Sequence, residues 1–226
     1  APLSLSVWEE PGLLVKGFDH DPTVMMGHNS PLYQGWIEAL AYTKATSMLT
    51  YELDITKEFP PLVQRIVASG ERNKRIRVRE VELKEFKREA DIVIQLVNDA
   101  WSKNWGFVPF TEREAKYAGE HMKPLIREDL NMIAELDGEP VAFMLTWSNI
   151  NEVVKPFNGR LLPFNWIKLL SWMRKRRTRT MRVPLMGVRK DLQNSRLASQ
   201  LAFMMIEFIR RNTVAHYGAD RGEIGW

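Results

Sequence analysis

The chain has 226 residues, 45% hydrophobic and 27% charged, with a net charge of +4 and no cysteine. That length holds one large domain or two small ones, with enough apolar residues for a sizeable core. Disulfides, cysteine nucleophiles and thiolate metal sites are excluded. No apolar run reaches the length of a membrane span, and no signal-peptide pattern opens the chain. The mild basicity suits an anionic ligand or a membrane surface.

Residues 11–18 read as a short apolar strand, and 19–30 as a loop rich in turn residues. From 31 to 42 the spacing of Leu32, Trp36 and Leu40 is helical, with a proline at the start. Residues 47–55 alternate like a strand, and Pro60 and Pro61 break the pattern. Residues 62–68 form a short helix and 69–74 a polar, charged connector, so the domain boundary is placed at a linker covering 59–74. A strand follows at 76–83. A helix at 85–101 turns Phe86, Ala90, Val93, Ile94, Val97 and Trp101 inward, and a second helix covers 111–127. Residues 131–136 and 140–147, joined by Asp137-Gly138, spell a β-hairpin, because Asp-Gly suits a two-residue turn with positive φ.

Residues 181–212 carry the densest signal. An apolar strand holding Val183, Leu185, Met186 and Val188 runs into a basic loop with Arg189, Lys190 and Arg196. A long helix follows, with Leu197, Leu201, Met204, Met205, Phe208 and Ile209 on one stripe. A strand, a loop and a helix N-terminus together present unpaired backbone N–H groups and the positive end of the helix dipole to an anion.

This stretch resembles motif A of the GNAT superfamily of acyl-CoA-dependent N-acetyltransferases. Gly187 and Val188 match its opening pair, Gln193 its Gln/Arg position and Ala198 its final small residue, whereas the family proline falls on Lys190 and the first glycine on Arg196. Residues 17–34, GFDHDPTVMMGHNSPLYQ, are also similar to a bacterial GNAT-like group carrying GFDxPPxxMMxHNPPYY. Here the first family proline is Asp21, the second is present as Pro22, and the paired tyrosines are Leu32 and Tyr33.

The resemblance implies an α/β (α+β) fold, a GNAT-like mixed central sheet flanked by helices. Residues 1–58 then read as the C-terminal part of a first GNAT-like domain, and 75–226 as a truncated second one whose last strands lie beyond Trp226. It also implies acetyl-CoA or a longer acyl-CoA as co-substrate and a small-molecule amine as acceptor. The pantetheine arm would pair with Met186, Gly187 and Val188. The pyrophosphate would lie over Asn194, Ser195, Arg196, Leu197 and Ala198, with Gln193 at the loop. Strand N–H groups would meet the charge that develops on the thioester oxygen.

Acyl transfer to an amine also needs a proton acceptor. The strand at 181–188 offers no carboxylate, and the family's tyrosine position in the N-terminal segment is Ile37. The candidates are Glu135 and Glu223, with His121 and His216 behind them. Without a competent base the chain reads instead as a degenerate GNAT-like module that binds a ligand, a partner or a membrane surface.

Residues 161–182 pair an apolar helix, with Trp166, Leu169, Leu170 and Met173 on one stripe, with a cluster in which Arg174, Lys175, Arg176, Arg177, Arg179 and Arg182 are basic. Such a segment packs on a core, caps an acyl tunnel or lies in a membrane interface. A cytoplasmic or membrane-peripheral location follows. No nucleic-acid motif surrounds the cluster. No metal is expected, because a solvated turn explains His20 and His28.

Overall fold

The computed structural model describes residues 12–123 and 126–225. Its strands are β1 (Thr50–Asp54), β2 (Ile76–Glu80), β3 (Asn131–Leu136), β4 (Glu139–Ser148), β5 (Thr180–Val188) and β6 (Arg221–Gly225). The helices are α1 (Leu32–Ala39), α2 (Pro61–Glu71), α3 (Phe86–Ala100), α4 (Glu112–Met122), α5 (Asn151–Val154), α6 (Asn165–Arg174) and α7 (Arg196–Tyr217). The strands form one mixed sheet in the order β1-β6-β5-β4-β3-β2. β5 and β6 run parallel, and every other neighbouring pair is antiparallel.

The hairpin forms where the Asp-Gly turn requires it. Asp137 and Gly138 both take positive φ, 53° and 88°, which matches the twist of the flanking strands. The sheet is buried on both faces. α7 lays Leu201, Met205 and Ile209 against Met132, Ala134 and Met144. On the opposite face α3 brings Leu96 and Val97 to Phe143. α7 starts at Ser195, whose hydroxyl accepts from the Ala198 amide at 3.1 Å, and ends at Gly218 in the left-handed region.

At Gly187 β5 lies close under the end of α3. A Cβ there would lie 2.8 Å from a Phe143 ring carbon and 2.9 Å from the Ala100 methyl. Gly187→Val is expected to lower stability by ~1–3 kcal/mol through overpacking, read as a lower urea midpoint. An unchanged midpoint would contradict this packing.

Several expectations are corrected. The described part of 11–18 forms no strand; Leu14 is instead held by Asn29, whose carboxamide oxygen accepts from its amide at 2.7 Å. The short helix expected at 62–68 is present and longer, as α2, which starts at a proline and packs against α7 with Gly70 on Met204. β1 pairs with β6 from Thr50↔Gly225 to Asp54↔Arg221, so residues from both ends of the chain share one sheet. On α7, Phe208 is exposed rather than inward. The stripe read on α6 splits: Leu169, Trp172 and Met173 are partly buried, while Trp166, Ile167 and Leu170 face outward.

Candidate functional site

The loop after β5 is rigidly tied. The Gln193 carboxamide donates to the carbonyls of Ala100 (3.0 Å) and Val188 (2.9 Å), joining the end of α3 to the end of β5. Asp99 accepts from the Lys190 amide at 2.7 Å. Arg189 is engaged by Asp191 at 2.7 Å, which raises the guanidinium pKa and lowers that of the carboxyl. Asn194 sits in the left-handed region at φ 65°, a conformation asparagine tolerates. The amides of Asn194, Arg196 and Leu197 carry no hydrogen bond among the described residues. Arg196 and Lys190 are exposed and have no ion pair there. The loop therefore offers backbone donors, a helix start and two cations to an anion.

β5 leads from this loop to a cleft. Its pairing with β6 covers Thr180–Val183. From Leu145 to Trp147 β4 advances two residues while β5 advances three, Leu185 to Arg182, so β5 bulges here. From Leu185 to Val188, β5 pairs with β4. The Met186 carbonyl accepts from the Trp101 indole at 3.0 Å.

The cleft, about 2960 Å³, lies on the α3 side of the sheet between α3, α4 and residues 12–52. Val93, Ile94 and Val97 form one wall and Pro184, Leu185 and Trp147 the floor. The apolar row on α3 thus serves both: Val97 and Val93 pack with Phe143 in the core as expected, and with Ile94 they also border the cleft.

Glu223 lies in this cleft. Its Oε1 accepts from Arg182 at 2.5 Å and from the Thr23 hydroxyl. Its Oε2 has no hydrogen bond among the described residues. Burial pulls the Arg182 guanidinium below its ordinary pKa, while the Glu223 carboxylate opposes that shift. The Arg182 Nε and the Trp147 indole nitrogen are buried without a hydrogen-bond partner among the described residues. Segment 19–24 clamps this corner from the other end of the chain. Asn149 accepts from the Val24 amide (3.0 Å), Asn151 donates to the Pro22 carbonyl (2.8 Å), and Lys155 meets Asp21 at 2.5 Å. Sequence reasoning missed Thr23, Asn149 and Arg182. Their one signal was the GFDHDPT wording, which marked the segment but not its target.

Glu135 sits elsewhere. It is half of a buried network in which Arg79 bonds Glu135 at 2.6 Å and Glu89 at 2.7 Å, with Arg77 at 3.8 Å. Burial opposes the Arg79 charge, but the two carboxylates outweigh it and raise its pKa. Glu135 does not line the cleft. His121 does, stacked on Tyr117 with ring centroids 4.0 Å apart. His216 is exposed in the last turn of α7, outside the cleft lining. His28 meets the edge of Phe18, and no group of three metal-ligating side chains occurs among the described residues.

No protein-family model matches the chain. Over all 226 residues it is 38% identical to protein YghO of Escherichia coli and 37% identical to a bacterial ceramide synthase of Caulobacter vibrioides. It spans 57% and 58% of the length of these curated relatives. A GCN5-related N-acetyltransferase from Sphaerobacter thermophilus superposes with a TM-score of 0.52 at 12% identity, covering 90% of this chain and 48% of that one. With its six-stranded mixed sheet flanked by helices, the chain has a GNAT-like fold.

Proposed function

We propose that the protein is an N-acyltransferase that moves an acyl group from acyl-CoA to the primary amine of a long-chain amino alcohol. The observation that carries this reading is Glu223, fixed through Oε1 by Arg182 and Thr23 while Oε2 is left open in an apolar cleft. The similarity to a ceramide synthase supports the acceptor class, since a ceramide is the amide of such an amine. The amides of Asn194, Arg196 and Leu197, with Lys190 and Arg196, would hold the CoA phosphates. The pantetheine would lie along β5 beyond Pro184, reaching the cleft beside Leu185.

In this arrangement Glu223 Oε2 takes a proton from the acceptor ammonium, freeing the nitrogen lone pair. Nitrogen attacks the thioester carbonyl, and backbone N–H groups on β5 meet the charge growing on oxygen. The C–S bond breaks, the nitrogen loses its second proton, and CoA leaves as the thiol with an amide formed. The apolar cleft walls bind the chains of donor and acceptor and exclude water that would hydrolyse the thioester.

The test incubates the intact protein with palmitoyl-CoA and a long-chain amino diol, reading thiol release and the amide by mass spectrometry. Amide formation with that amine, and little with a short polyamine, is expected. Equal use of the polyamine would overturn the acceptor class. CoA binding without any acyl transfer would favour the degenerate binding module, the reading that Arg196 in place of the family glycine supports.

A further inference from the structure

Between Glu152 and Asp191 the chain contains no acidic residue. Within that stretch, Leu161, Leu162, Phe164, Trp166, Ile167 and Leu170 are exposed, at 50, 74, 68, 42, 49 and 45%. A helix of a soluble domain turns its apolar side chains inward; α6 keeps Leu169, Trp172 and Met173 inward and still presents a second apolar face outward. The cations around that face differ in their engagement. Arg176 is held by Asp129 at 2.9 Å and Arg179 by Asp220 at 3.0 Å. Arg160, Lys168, Arg174, Lys175 and Arg177 are exposed and take no ion pair among the described residues. An apolar face carrying tryptophan and phenylalanine, in a stretch with no acidic residue of its own and five cations outside any ion pair among the described residues, matches the acyl and headgroup layers of an anionic bilayer.

We propose that residues 160–177 seat the protein on a membrane surface rich in anionic lipid. Another exposed apolar face, with Leu32, Trp36 and Leu40 on α1, has a different charge pattern: Glu38 lies on the helix, and the helix carries no Lys or Arg. The α6 segment is also close to the cleft. α6 packs against α5, and Asn151, Glu152 and Val154 of α5 line the cleft wall. A membrane-seated α6 would therefore hold the cleft beside the bilayer. Docking itself does not depend on the acyl-transfer reading.

The test is co-sedimentation of the intact protein with vesicles of phosphatidylcholine alone and of phosphatidylcholine mixed with phosphatidylglycerol. Binding to the anionic vesicles is expected, weakening as salt is raised. Phe164→Ser/Ile167→Ser should weaken it roughly tenfold or more, and Lys175→Glu/Arg177→Glu should do the same. Both double variants should keep the parent melting temperature, because all four side chains are exposed. Trp36→Ser serves as the control and should bind as the parent does. Equal sedimentation of variants and parent, or equal binding to neutral vesicles, would overturn the proposal. So would protection of a Phe164→Cys thiol from a labelling reagent in the intact, lipid-free protein, which would mean that protein covers this face. Vesicle binding is read without substrate, so a failed acylation assay leaves it standing and the converse holds.

Discussion

Glu223→Ala is expected to destabilise the protein by ~3–5 kcal/mol, because it leaves the Arg182 guanidinium buried without its counter-charge. The Arg182 side chain is 5% exposed and that of Glu223 15% exposed, so water cannot readily replace the lost partner. Against a typical total stability of ~5–15 kcal/mol, that is a large fraction. Glu223→Gln separates structure from chemistry. It keeps an oxygen to accept from Arg182 and Thr23, so its stability loss should be clearly smaller in urea unfolding. It removes the carboxylate, so acyl transfer should fall roughly 100- to 10,000-fold. A folded Glu223→Gln protein with parental activity would remove Glu223 from the proton-accepting role. A Glu223→Ala protein as stable as the parent would show that the pair does not hold this corner.

Arg79→Met should cost a similar ~3–5 kcal/mol, for the opposite reason: two carboxylates lose their shared cation. Glu89 and Glu135 side chains are 4% and 12% exposed. Arg88, at 3.2 Å from Glu89, and Arg77, at 3.8 Å from Glu135, are more exposed and compensate only in part. The triple variant Arg79→Met/Glu89→Met/Glu135→Met should recover most of that loss in urea unfolding, since no charge is then left buried. Arg79 and Glu135 lie outside the cleft lining, and Glu89 borders it away from the proposed Glu223 site, so acyl transfer per folded molecule of the Arg79→Met protein should stay close to parental. A selective loss of turnover in a folded Arg79→Met protein would place this network in the chemistry after all.

The elements were legible where the signal is local. The hairpin follows from Asp137-Gly138, and α7 from a stripe that recurs every three to four residues. Register and partners across the chain were not. Thr23 meets Glu223 across 200 residues, and no periodicity encodes that contact. Nor does an apolar row state all that lies opposite it: Val93 and Val97 on α3 pack with Phe143 in the core as read, and with Ile94 they also line a cleft. Of the two candidate carboxylates, only the fold separates Glu135, enclosed by arginines, from Glu223, open on one oxygen. Gly187 and Gln193 were legible as motif positions, yet in the fold each also has a packing duty toward α3. Backbone amides of the loop, by contrast, depend on geometry rather than identity, which is why the Arg196 departure leaves them in place.

The most direct measurement is a thermal-shift titration of the intact protein with CoA, acetyl-CoA and a long-chain acyl-CoA, repeated on Ala198→Trp, which crowds the start of α7. Stabilisation is predicted with all three and should be greatest with the long-chain donor, whose chain fills the cleft. Ligand at a hundred times its Kd should add ~2.7 kcal/mol. The effect should be lost in a folded Ala198→Trp protein. No shift with any of the three at saturating concentration, or an undiminished shift in Ala198→Trp, would contradict the placement of acyl-CoA on the loop after β5.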